Sequence, residues 1–218
     1  SPTALYDAIA AASLERVQEF EPQQVGMMTW AFANKGVASP LLFEALGRVS
    51  LFQAKWATPR ALAATAWAYA EAGADGQARQ QIFEALGEAA AAGLREEIGS
   101  PLTGFGAHDV ASLAWSFAAI DFTAGPGAEL FGGPFRERCE ALFADAGAEP
   151  LPSHLCQLHE FSMWHAENDM ASPFSSGLSE RCQAAFAAAG QDARPSAGQR
   201  WVVSALESLG FTPMERQT

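Results

Sequence analysis

Alternating runs of β-branched residues are missing from this chain, and threonine, valine and isoleucine are sparse throughout. That excludes an ordinary strand pattern and a sheet-based fold. No apolar run approaches the roughly 20 residues of a membrane-spanning helix. The alanine-rich stretch at 85–92 is broken by Gly87 and Glu88. Cysteines number three, Cys139, Cys156 and Cys182, far apart in sequence. An odd, scattered set speaks against a disulfide framework and for a reducing compartment. No Walker-type or dinucleotide-binding glycine motif occurs; the glycines at 104–106 and 125–127 lack the strand context such motifs require. The first residues include Asp7 and Glu15 and do not read as a signal or transit peptide. Cations are the last shortage: 13 Lys and Arg face 25 Asp and Glu, for a net charge of −12. Residues 1–60 balance, residues 61–120 carry −5 and residues 121–218 carry −7. A general nucleic-acid binder is basic, because phosphate neutralisation supplies most of its affinity. Only the first third offers a local basic patch: Lys35, Arg48, Lys55 and Arg60.

What the chain does have is apolar residues, 49% of 218, with 17% charged, the make-up of a folded protein. Alanine is over-used, which favours closely packed helices. One segment recurs. Pro22–Gly36 reads PQQVGMMTWAFANKG, and a version returns 37 residues later at Pro59–Gly73, PRALAATAWAYAEAG. Another stands at Ala107–Ile120, AHDVASLAWSFAAI, and a divergent one begins at Pro152. Three residues after each start come Val25, Leu62, Val110 and Leu155; ten after come Phe32, Tyr69, Phe117 and Ser162. Such offsets trace one side of a helix. Proline suits the first helical turn, and Thr58 before Pro59 is a natural N-cap.

A second helix follows each first one. Pro40–Leu51 and Ala78–Ala91 share FEALG; Glu137–Gly147 and Glu180–Gly190 agree at eight of eleven positions. Ser39–Pro40 and Ser172–Pro173 read as cap-plus-proline helix starts. Residues 1–20 resemble an unpaired second-type helix, and residues 194–211 a final first-type helix with Trp201. The expectation is an all-α protein, an α-solenoid of stacked helical hairpins. It comprises one domain over 1–218, with about four and a half repeats of roughly 37–48 residues. The pairs fall near 22–57, 58–104, 105–150 and 151–191. The inserts at 93–105 and 123–134 are expected as loops.

The pattern P-x-x-(aliphatic)-x-x-(aliphatic)-x-W-A-(aromatic)-A resembles the octotricopeptide repeats and the related FAST-kinase-like repeats found before RAP domains. It is carried by Pro22, Val25, Trp30, Ala31, Phe32 and Ala33, and by Pro59, Leu62, Trp67, Ala68, Tyr69 and Ala70, with Val110, Trp115 and Phe117. The closing GQRWVVSALESLG looks like the segment that leads into a RAP domain. The resemblance implies a non-catalytic helical-repeat protein of a mitochondrion or plastid. It would engage organellar RNA or a ribonucleoprotein in stabilisation, processing, translation or ribosome assembly. A protein–protein scaffold or accessory subunit of a large complex, using an acidic solenoid surface, stands beside it.

The tryptophan column, Trp30, Trp67 and Trp115, recurs in register with Val25, Leu62 and Val110 and is expected in the core, as a spacer between helices. Glu160 takes its place in the fourth pair. Candidate RNA or partner contacts are the variable first-turn residues Gln23, Gln24, Arg60, His108, Ser153 and His154, with Asp109 beside them. Lys35, Arg48 and Lys55 complete the set from the basic patch. Cys156 and His159, with His154 and His165 near, do not complete a tetrahedral metal set. No cofactor is expected. The acid pairs Glu96–Glu97, Glu137/Glu140 and Glu167/Asp169 read as solvated surface, and no nucleophile with an ordered base is visible, so no enzyme is expected.

Overall fold

Prolines set the helix starts. The computed structural model describes residues 2–37, 39–72, 77–96, 104–123, 125–144 and 151–192. Among them are nine α-helices and no strand. They are α1 (Pro2–Glu15), α2 (Pro22–Asn34), α3 (Pro40–Gln53), α4 (Pro59–Glu71), α5 (Gln77–Glu96), α6 (Ala107–Ala119), α7 (Gly133–Ala144), α8 (Pro152–Glu167) and α9 (Ser176–Asp192). Pro22, Pro40, Pro59 and Pro152 each open a helix, where the missing N–H costs nothing. Thr58 caps α4 through its side chain, which accepts the Ala61 N–H at 3.3 Å. The start expected at Ser172–Pro173 lies further on. There Ser172 Oγ donates to the Phe174 carbonyl, and Ser175 Oγ accepts the Leu178 N–H, so the cap of α9 is Ser175. The expected final helix at 194–211 lies outside the described residues.

The chain separates into two compact units, Ser1–Phe186 and Ala187–Thr218. Only the end of α9 is described in the second. Within the first unit each helix packs on the one two places along the chain. The even-numbered helices α2, α4, α6 and α8 form one row of neighbours, and α1, α3, α5 and α7 another. The even row is tight because small residues line it. An added Cβ at Gly26 would lie 3.1 Å from the Ala61 carbonyl oxygen and 3.3 Å from its Cα. Buried hydroxyls are satisfied inside their own helices: Thr29 bonds the Val25 carbonyl at 2.9 Å and Ser116 the Ser112 carbonyl at 2.6 Å.

Between the rows runs a spine of edge-to-face and tilted aromatic pairs. Tyr6 meets Phe32 at 5.0 Å, Phe43 meets Tyr69 at 5.4 Å, Phe83 meets Phe117 at 4.9 Å and Phe131 meets Phe161 at 4.7 Å. Each pair takes one ring from an even-numbered helix and one from the opposite side. Tyr69 also donates to the Phe43 carbonyl at 2.6 Å, so its buried hydroxyl has a partner. The stretch expected as a loop at 123–134 is instead partly core. A 3-10 helix at Pro126–Phe131 packs against α5 and buries Leu130 and Phe131. Leu130 and Phe131 are large apolar residues, so burial recruits the insert into the spine.

Candidate functional site

Of the three tryptophans expected in the core, one stands outside it and two at its margin. Trp30 is 46% exposed, and Trp67 and Trp115 are half-buried. The helical repeat explains it. At about 100° per residue, Trp30 lies about 200° from Phe32 and about 140° from Val25 around α2. The apolar stripe that holds the core therefore points away from the tryptophans. The same holds for Trp67 beside Tyr69 and for Trp115 beside Phe117. Burial of the column is corrected to a ladder exposed at Trp30 and partly buried at Trp67 and Trp115.

Because the even-numbered helices lie in register, the indoles touch in sequence. Trp30 and Trp67 have ring centroids 6.5 Å apart, tilted by 43°; Trp67 and Trp115 are also 6.5 Å apart, tilted by 31°. The fourth position continues the row with a carboxylate. Trp115 Nε1–H donates to Glu160 Oε2 at 2.6 Å. Exposed methionines flank both ends, Met27 on α2 and Met163 on α8. The four helices themselves carry one Lys or Arg, Arg60, against four carboxylates, Glu71, Asp109, Glu160 and Glu167.

Gln23, Arg60, His108 and Ser153 form a second row on the same face, seven residues or about 10.5 Å along each helix from the Trp30, Trp67, Trp115 and Glu160 positions, whereas Gln24, Asp109 and His154, six residues away, turn off that face. The structure brings several of them together. Arg60 Nη1 lies 3.9 Å from Asp109 Oδ1, and the His108 and His154 rings are 5.5 Å apart. His108 Nε2 is 3.5 Å from Ser112 Oγ. Asp109 Oδ2 accepts the Gly106 N–H at 3.0 Å, capping α6. Its Oδ1, like His154 Nδ1, is buried without a hydrogen-bond partner in the described chain. Burial pushes the pKa of both histidines down. Arg60 pushes the same way on each, and Asp109 pulls the other way. Both shifts favour the neutral imidazole.

The other candidates are placed apart. Gln24 accepts the Glu21 N–H at 2.9 Å and closes the capping box of α2. Gln23, Lys35 and Ser153 are exposed. Arg48 pairs with Glu44 on α3, and Lys55 Nζ sits 4.2 Å above the Trp56 ring. Arg48 and Lys55 thus belong to the odd-numbered side and do not join Arg60 in one patch. His165 stands at the spine, 4.6 Å from Phe161, and His159 meets Phe186 at 4.8 Å. Cys139 and Cys182 are buried at matching positions of α7 and α9, and burial pushes the Cys182 thiol up to about 11. Thiols so placed are protonated and unreactive at neutral pH. Among the described residues no three His, Cys, Asp or Glu side chains converge as metal ligands. None of the helices described is long and apolar enough to cross a membrane.

The ladder is what residue-by-residue reading missed, and two signals point to it. One is angular: position eight of the repeat lies opposite positions three and ten. The other is Glu160, since a carboxylate recurring in a core column has no account, whereas at a solvent-facing position it is ordinary. The chain matches no known family model, no curated protein and no solved structure.

Proposed function

We propose that this chain is a non-catalytic binding module, an α-solenoid of stacked helical hairpins, whose working surface is the tryptophan ladder and whose partner is an extended polypeptide segment of a larger assembly. The observation that carries the reading is the ladder's composition: three adjacent indoles, one 46% exposed and two partly buried, on four helices with one Lys or Arg among them. A surface of that kind offers large, rigid apolar area. It lacks the cations that phosphate contacts demand. Arg60, the one cation on these helices, already faces Asp109.

A second reading follows from the octotricopeptide-like resemblance: organellar RNA or a ribonucleoprotein is the partner, in a mitochondrion or plastid. The ladder supports this reading too, because aromatic faces stack bases without regard to sequence. Salt separates the two. Peptides selected for binding to the chain are expected to lose affinity for Trp30→Ala and to respond weakly to salt. Mixed-sequence single-stranded RNA is expected not to bind. RNA that binds with a steep salt slope, and loses affinity for Trp30→Ala, overturns the polypeptide reading in favour of the RNA one. Selected peptides indifferent to Trp30→Ala remove the ladder from either role.

A further inference from the structure

The ladder has a repeat length, a chemistry and a terminus, and the three agree on one kind of occupant. Resting on the polypeptide reading above, we infer that the occupant is a basic extended segment. Its Lys or Arg side chains, at alternate positions, lie against Trp30, Trp67 and Trp115, and the last pairs with Glu160.

The repeat length comes first. An extended chain rises about 3.3 Å per residue, so side chains on one face recur about every 6.6 Å. The indoles recur every 6.5 Å. One side chain in two meets one rung, without the segment bending or slipping. The intervening side chains point away to solvent.

The chemistry comes next. The face of an indole is the strongest of the aromatic cation acceptors, for ammonium and more often for guanidinium. The molecule already shows this contact on its other side, where Lys55 Nζ lies 4.2 Å over the Trp56 ring.

The terminus decides the sign of the charge. Glu160 Oε2 accepts the Trp115 N–H, and one hydrogen bond leaves most of a carboxylate's accepting capacity unused. An apolar segment crossing this rung desolvates Glu160 without return. An acidic segment or a phosphate chain is repelled by it, by Glu71 and Glu167, and by a net charge of −12. A guanidinium or ammonium there gains a charge-assisted hydrogen bond. A cationic segment is also steered toward the face by the acidic field.

Four labelled probes test the inference by fluorescence anisotropy: an alternating Arg–Ser peptide, an alternating Glu–Ser peptide, a proline-rich uncharged peptide and oligouridylate. The variants are Trp30→Ala and Glu160→Gln, both at exposed positions, with folding checked by circular dichroism. The Arg–Ser peptide is expected to bind. Its affinity is expected to fall about tenfold for Trp30→Ala and several-fold for Glu160→Gln. A peptide with arginine at every third position is expected to bind more weakly than the alternating one. Equal or tighter binding of the uncharged peptide, still lost in Trp30→Ala, overturns the basic occupant and leaves the polypeptide reading standing. Oligouridylate binding that depends on Trp30, without peptide binding, overturns both. Arg–Ser binding indifferent to both variants reduces the effect to general charge attraction and overturns the inference, as does its failure to bind.

Discussion

Two aromatic columns run through the even-numbered helices, two residues apart in sequence and on opposite faces. Phe32, Tyr69 and Phe117 face inward and are buried; Trp30 is 46% exposed, and Trp67 and Trp115 are partly buried. The inner rings meet partners from the other row edge-to-face, at 5.0, 5.4 and 4.9 Å. The outer rings meet each other at 6.5 Å, Trp67 also packs against the core, and Trp115 bonds Glu160. Residue type is shared and helix is shared, so position on the helical wheel alone divides the work. The inner column joins the rows, and the outer one is the surface proposed for recognition.

The sharpest break in that comparison is expected at Phe117. Its ring touches Phe83, Phe122 and Phe131 and is fully buried. Phe117→Ala is expected to cost about 3–5 kcal/mol in urea denaturation, the range for a large aromatic truncated in a core. Trp30→Ala on the outer column is expected to cost about 1 kcal/mol or less, since half its surface never left water. Comparable losses for the two would mean that the ladder belongs to the core.

Gly26 comes next, because it sets the spacing that the ladder inherits. A side chain there meets backbone, the Ala61 carbonyl and Cα, which cannot step aside. Gly26→Val is expected to cost about 1–3 kcal/mol by overpacking and to alter indole emission by forcing α2 from α4. At Gly47 on α3 an added Cβ meets the ends of Ile82, at 2.8 Å, and of Tyr69, at 3.1 Å. The Ile82 end can swing aside, but the Tyr69 hydroxyl is held by the Phe43 carbonyl, so Gly47→Ala is expected to destabilise the chain while leaving the α2–α4 spacing and indole emission unchanged.

Histidines sit on both sides of the divide and give the comparison a pH axis. Burial lowers the pKa of His108 and His154 near the outer face and of His165 at the spine. An unfolded histidine titrates near about 6.5. Between the folded values and that point the unfolded chain holds more protons, so stability rises with pH. Stability is full above about pH 6.5 and falls as pH drops toward the folded values. Thermal unfolding from pH 7.5 to 5 is expected to show this. Replacing His108 and His154 together by Gln is expected to flatten part of the slope, and His165→Gln a further part. A slope unchanged in both variants would assign the acid sensitivity to carboxylates.

Much of the fold is legible in the sequence. Prolines at 22, 40, 59 and 152 fixed helix starts, and the offsets of Val25 and Phe32 fixed the buried face. The insert at 123–134 was less so, because Leu130 and Phe131 look like loop residues until α5 is there to cover them. The site was half legible. Arg60, His108 and His154 were found as variable first-turn residues, and packing brings them together with Asp109. Arg48 and Lys55 were grouped with them by charge alone, and charge does not say which row a residue joins. Trp30 departs from the expected core because angle outweighs hydrophobicity, while Trp67 and Trp115 are partly buried. An indole two residues from a buried ring cannot share its face.

The last and smallest effect concerns the fourth rung, where the ladder changes from ring to carboxylate. Trp115 Nε1 and Glu160 Oε2 are 2.6 Å apart, a charge-assisted bond at a solvent-facing position. Solvent competes for both groups, so the coupling is expected to be about 0.5–1 kcal/mol rather than the value of a buried pair. A double-mutant cycle with Trp115→Phe and Glu160→Ala isolates it. Glutamine keeps an acceptor oxygen and drops the charge, so Glu160→Gln alone is expected to lose only part of the coupling. Glu160→Ala is expected to lose all of it. A cycle that closes to zero would leave the ladder ending at Trp115, three rungs long, with Glu160 an unrelated surface carboxylate.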